Sequence, residues 1–119
     1  MYNDWIGVDL DGMLALYGEW EDETHIGEPI PLMLERVKRW VAEGKEVKIF
    51  SARVSLKNPR RTEACKAIKE WCRKHIGVEL DVTAEKDYWM MALYDDRCFQ
   101  VEFNTGVLIV HEEEREENG

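Results

Sequence analysis

Cysteine, proline and cationic side chains are all in short supply in this chain. Three cysteines in 119 residues, Cys65, Cys72 and Cys98, are odd in number and lack a C-x-x-C spacing, so neither a disulfide framework nor a zinc site is expected. A reducing cytoplasm is the compartment this usage suits. Only three prolines occur, there is no linker rich in Pro, Gly or Ser, and no segment repeats. No apolar run approaches the roughly 20 residues that span a bilayer, and the N-terminus lacks a basic region, apolar stretch and cleavage site in series. Neither membrane attachment nor secretion is expected. Sixteen Lys and Arg face twenty-five Asp and Glu, a formal charge of −9. Broad affinity for nucleic acid comes mostly from cations neutralising phosphates, so such affinity is not expected here, although a locally basic site stays open.

Against these absences stands an ordinary globular composition, 45% hydrophobic and 34% charged, in a chain long enough for one domain with its own core. Residues 1–111 read as that domain and 112–119 as an acidic, solvated and frayed tail. Trp5-Ile6-Gly7-Val8 is a short apolar run ending in Asp9, and residues 46–50 form a second ending at Ser51. Both read as strands. Between them Ile30, Met33, Leu34, Val37, Trp40 and Val41 recur at helical spacing, with Pro31 suited to the first turn and Gly44 to the C-terminal cap. A second helix is expected where Ala64, Cys65, Ile68, Trp71, Cys72 and His75 share a face, after Asn58-Pro59 and before Gly77. Three further strands are expected at 79–83, 90–94 and 107–110, the last two joined by a brief helix over 98–103. Strands alternating with helices predict an α/β fold, a parallel sheet covered on both faces with its ligand site at the carboxyl ends of the strands.

That rule directs attention to the polar residues ending each strand. Asp9 and Asp11 follow the first strand, and Gly12 lets the chain leave by a tight turn. Ser51 ends the second strand, Lys86 follows the third, and Asp95-Asp96 end the fourth. A carboxylate attacks phosphorus only when cations neutralise both partners. Mg²⁺ prefers a few oxygen ligands and keeps several waters, which suits Asp9, the backbone carbonyl of Asp11, and Asp95 with Asp96. Lys86 supplies a second cation, Ser51 a hydroxyl for a phosphoryl oxygen, and Asp11 a proton for the leaving oxygen. Taken singly, Ser51 reads sooner as a helix N-cap or turn residue, and Asp96 can be read as an ion-pair partner of Arg97. Order along the chain carries the inference.

Four segments, Val8-Asp9-Leu10-Asp11-Gly12, Ile49-Phe50-Ser51-Ala52-Arg53, Lys86, and Leu93-Tyr94-Asp95-Asp96-Arg97, resemble the motifs of the haloacid dehalogenase superfamily in that family's order. The resemblance implies a Rossmann-like three-layer sandwich with a five-stranded parallel sheet of order 5-4-1-2-3. It also implies a Mg²⁺-dependent phosphatase that passes through an aspartyl-phosphate on Asp9. Asp11 favours phosphoryl transfer over dehalogenation, because the dehalogenases lack that second carboxylate. Met13 departs from the usual Thr or Val of the motif, and is what a catalytically idle metal-binding or regulatory module of the same fold would rest on.

Members of this family often add a cap domain, and this chain has room for none, so a capless type with an open pocket is implied. A second subunit of a homo-oligomer would be one way to cover it. Arg53, Lys57, Arg60 and Arg61 follow Ser51 closely and form either a cationic rim or a solvated loop and helix start. Arg53 and Asp95-Asp96-Arg97 are also similar to the phosphatase half of polynucleotide kinase-phosphatases, which points to a nucleic-acid end as substrate and to Arg53, with Ser51 and Lys86, as residues that bind it. The acidic Glu19-Trp20-Glu21-Asp22-Glu23 segment opposes that, leaving a nucleotide or sugar phosphate equally open. Within that segment Trp20 is either exposed or in contact with substrate. Trp40, Trp71 and Trp89 read as packing residues, Trp5 as packed under the sheet, and His25, His75 and His111 as surface residues.

Overall fold

A computed structural model describes residues 4–110 of the chain, so the expected tail at 112–119 and His111 lie outside the described residues. Strand β1 spans Trp5–Asp9, helix α1 Pro31–Ala42, β2 Glu46–Phe50, α2 Arg61–His75, β3 Asp81–Thr83 and β4 Met90–Tyr94. The four strands form one parallel sheet in the order β3-β2-β1-β4.

Both helices follow from their stripes. Met33, Val37 and Trp40 are the buried positions of α1, which starts at Pro31, where the missing N–H is no loss, and closes before Gly44 at φ 81°. In α2 the buried stripe is Ala64, Ile68, Trp71 and Cys72, with Glu63 in the first turn and Arg73, Lys74 and His75 in the last, the arrangement the helix dipole favours. Asn58 prepares this helix by accepting the Arg60 backbone N–H at 3.0 Å.

The core shows which face the helices cover. Ile6 and Val8 stand beside Val47 and Ile49 in register, and these four pack with Met33, Val37 and Trp40 of α1 and Ile68, Trp71 and Cys72 of α2. Both crossovers step the same way across the sheet, from β1 to β2 to β3. Right-handed connections then set both helices on one face. The link from β3 to β4, residues 84–89, contains no helix. The described residues therefore form two layers where three were expected, with helices on one face only. On the other face Trp5, 1% exposed, is covered by Lys48, whose Nζ lies 4.7 Å from the ring, and its Nε1 donates to Asp87 at 2.7 Å.

The C-terminal segment corrects two further expectations. No fifth strand joins the sheet among the described residues, and 98–103 is not helical. Instead Val101 bridges Leu108 antiparallel, with Glu102 N–H donating to the Val107 carbonyl and Ile109 N–H to that of Gln100. Phe99, Val101 and Phe103 alternate with polar residues at a period of two, which suits an extended chain. Asn104 and Gly106, both at positive φ, turn the chain back on itself. A local hairpin costs less closure entropy than a crossover to the sheet edge.

The residues between β1 and α1 form a fastened loop. Leu16 N–H donates to Glu28 at 2.8 Å, Ile30 N–H to Leu14 at 2.8 Å, and Ala15 bridges Pro29. Gly27 makes this possible, since a Cβ there would stand 2.1 Å from the Leu16 carbonyl oxygen, which is backbone and cannot swing aside. Gly27→Ala is therefore expected to lower stability by about 2 kcal/mol or more, through strain at a tight backbone approach. Chemical denaturation checks it, and an unchanged midpoint would show that the loop does not need this approach.

Candidate active site

Strand register brings the site together. Val8 pairs with Tyr94 across β1 and β4, so Asp9 and Asp95 emerge side by side at the carboxyl edge. On the other flank Asp9 pairs with Phe50, which sets Ser51 one step beyond. The chain turns away at Gly12, φ 84°, where an added Cβ would lie 3.1 Å from a carboxylate oxygen of Asp96. A larger residue there would press on the acidic cluster.

These residues open into a cleft of about 420 Å³ lined by Asp9, Asp11, Ser51, Arg53, Asp95, Asp96 and Arg97, with Tyr17, Trp20 and Asn58 at its sides. One carboxylate oxygen each from Asp9, Asp95 and Asp96 lies within 4.8 Å of the others. Oxygens on opposite sides of a Mg²⁺ stand about 4.2 Å apart, so the three can share such an ion after small side-chain rotations. An all-oxygen set also suits a hard dication over a softer one. Burial pushes the Asp9 carboxyl up to about 7, helped by the charges of Asp95, Asp96 and Asp11 and opposed by Arg97. A dication would relieve that repulsion.

Asp11 lines the cleft but stands apart from the triad. Arg53 Nε donates to its Oδ2 at 2.9 Å and Arg53 Nη2 to its Oδ1 at 2.8 Å, a bidentate pair with the arginine side chain 7% exposed. Its carboxylate is thus outside the acidic triad, and only the backbone carbonyl remains for the role expected of Asp11 at a metal. Each Asp11 oxygen keeps a lone pair for a proton. Arg53, expected at the substrate, spends most of its donors on protein. Beyond Asp11, its Nη1 reaches the carbonyls of Asp22, Glu23 and His25 at 3.3, 2.9 and 2.8 Å.

Ser51 is 3% exposed and its Oγ accepts the Arg53 backbone N–H at 3.2 Å, so the turn role and the cleft role coexist. Its O–H is not used as a donor in that bond, and Ser51 lines the cleft. Lys86 is on the exposed loop after β3 and is not among the lining residues. Its charge is felt at Cys98, which also senses Asp95 and Asp9. Arg97 does line the cleft, and its charge is felt at Asp9; its backbone N–H also donates to Asp95 at 2.9 Å. From the sequence Arg97 was a motif residue and an ion-pair partner for Asp96, with no role toward substrate. Its position directly after the paired aspartates was the available signal.

The cationic rim does not form. Arg60 pairs with Glu23 and Glu63, Arg61 donates to the carbonyls of Leu56 and Asn58, and among the described residues only Arg53 and Arg97 of the cations line the cleft. Met13 packs partly buried against the core, so its departure from the motif is absorbed by packing.

The chain matches no family model and no curated protein. Among solved structures it is similar to a conserved protein of Bacteroides thetaiotaomicron, at 23% identity and a TM-score of 0.52, over 99% of this chain and 93% of that one. The likeness is one of fold. It runs the length of the chain and supports an α/β architecture with a parallel sheet. The three cysteines are free, and no helix among the described residues is long and apolar enough to cross a membrane.

Proposed function

We propose that the chain is a Mg²⁺-dependent phosphomonoesterase of the haloacid dehalogenase type, with Asp9 as its nucleophile. The observation that carries this reading is the triad of Asp9, Asp95 and Asp96 within 4.8 Å at the carboxyl edge of a parallel sheet, beside a buried serine hydroxyl. Bound Mg²⁺ would neutralise charge between the carboxylate and the phosphoryl oxygens. Asp9, Asp95 and Asp96 would hold it, together with the Asp11 carbonyl.

The rest falls to side chains. An Asp9 carboxylate oxygen attacks phosphorus, and the bond from phosphorus to the ester oxygen breaks. That oxygen takes a proton delivered by Asp11, which lines the cleft while Arg53 holds both of its oxygens. Asp11 then accepts a proton from a water that attacks the phosphorus, releasing phosphate and restoring Asp9. Ser51 donates to a phosphoryl oxygen throughout. Arg97, which lines the cleft, and Lys86, on the exposed loop after β3, offset the remaining negative charge. Free cysteines and this chemistry both suit a cytoplasmic setting.

Phosphate release from an aryl phosphate is expected to require Mg²⁺ and to fall at least about tenfold in Lys86→Ala, the loss of one cation at a transferring phosphoryl group. Stripping the dication with a chelator should end turnover reversibly. Lack of release across a broad panel of phosphate esters, with Mg²⁺ binding retained, would favour the idle binding module instead.

A further inference from the structure

The loop between β1 and α1 turns aromatic surface toward the cleft. Tyr17 and Trp20 are 49% and 51% exposed, both line the cleft that holds Asp9 and Arg97, and neither belongs to the core. Yet the loop that carries them is held firmly. Its ends are joined near Leu16 and Glu28, and its middle is gripped by Arg53 through the carbonyls of Asp22, Glu23 and His25. The Asp22 carboxylate closes a further turn by accepting the backbone N–H of Thr24 at 2.7 Å. The Arg53 guanidinium also lies 4.9 Å from the centroid of the Trp20 ring, supporting the indole from one side. An indole fixed in place with half its surface in water is a stacking platform that needs no ordering when a ligand arrives.

Charge near the platform restricts what stacks there. Glu19 and Glu21 flank Trp20 and share with it a second hollow of about 400 Å³ on the loop. Arg60 is engaged with Glu23 and Glu63. A long polyanion would run into this acidic wall, whereas a single phosphate bound at Asp9 and Arg97 would not. The cleft volume of about 420 Å³ is within the range of small-molecule sites.

We infer, resting on the phosphomonoesterase reading, that this site selects monophosphates whose organic part is one planar ring system, a nucleobase or an aryl group, stacked on Trp20 while the phosphate meets Asp9 and Arg97. Small aliphatic phosphates lack the ring, and phosphorylated polymer ends carry too much negative charge past Glu19 and Glu21.

The test compares phenyl phosphate with glycerol 2-phosphate as substrates, and phenylphosphonate with methylphosphonate as ligands followed by calorimetry in the presence of Mg²⁺. Wild type should prefer the ring-bearing member of each pair. Trp20→Ala should cut that preference about tenfold, the size of a lost aromatic stack, and Trp20→Phe should recover most of it. If esters are hydrolysed but the preference is absent, or survives in Trp20→Ala, the ring-selective site is wrong and the phosphatase reading stands. If no ester is hydrolysed, the phosphatase reading fails, and the phosphonates still decide. Tighter binding of phenylphosphonate that is lost in Trp20→Ala supports the platform, and equal or absent binding overturns it.

Discussion

Replacing Asp9 with asparagine is expected to abolish phosphate release while making the metal-free protein harder to melt at pH 7.5. The first half follows from chemistry, since an amide is no substitute for the attacking carboxylate, and losses on the order of 10³-fold or more accompany removal of a nucleophile. The second half follows from electrostatics. Burial and the charges of Asp95, Asp96 and Asp11 raise the Asp9 carboxyl from its ordinary 3.8 to about 7. Between those values the native state binds more protons than the unfolded chain, so stability falls as pH rises. The contribution of the neutral carboxyl is complete below about pH 4 and is lost as pH climbs through about 7. Asparagine at position 9 stays neutral throughout. Because the site is partly open to water, the gain is discounted for solvent screening to roughly 1 kcal/mol, or about 3–6 °C in Tm. Melting curves in chelator at pH 4.5 and 7.5 check this, with wild type and variant coinciding at the lower pH and separating at the higher. Excess Mg²⁺ should narrow the gap by stabilising wild type more. A difference independent of pH would show that the repulsion at Asp9 is not what the cluster geometry implies.

Loss of the Arg53 guanidinium should do the greatest structural damage of any single change at the site. One buried side chain holds both oxygens of Asp11 and three loop carbonyls, so Arg53→Ala leaves an anion and several acceptors without their partner at once. Breaking a buried ion pair costs about 3–5 kcal/mol. Asp11 is a quarter exposed, which lets water recover part of this, and about 2–4 kcal/mol remains. Arg53→Lys should restore less than half, because one ammonium cannot grip two carboxylate oxygens and reach the loop in the same pose. Denaturation midpoints for the two variants, read beside kcat on an aryl phosphate, test the claim. Wild-type stability and turnover in Arg53→Lys would mean that simple positive charge is enough and the fork geometry is idle.

Arg53 also marks where reading the chain as text stops. Its place after Ser51 drew attention to it as a ligand for substrate phosphate, yet nothing nearby in sequence announces that Asp11, 42 positions away, would occupy its donors. Trp20 is the converse case. The sequence left it between exposure and contact with substrate, and the fold sets it at the side of the cleft with half of it in water, on a loop tied at its ends by Leu16 and Glu28. The strand expected at 107–110 had an apolar run of the right length. A turn at Asn104 and Gly106 offered it a nearer partner in Val101, and the nearer partner prevailed.

Taken alone, the sequence determined the two helices, the strands at Trp5–Asp9, Glu46–Phe50 and Met90–Tyr94, and the fact that acidic and hydroxyl groups end them. Those features are written in side-chain periodicity and in local stop signals such as Pro31 and Gly44, whose effects reach only a few residues along the chain. Which groups then meet was decided only by the tertiary structure. Parallel register set Asp9 beside Asp95, a bidentate bond drew Asp11 to Arg53, and same-direction crossovers put both helices on one face. Each of those outcomes joins residues tens of positions apart, where free energy is settled by packing and charge in three dimensions and leaves no local trace in the order of the letters.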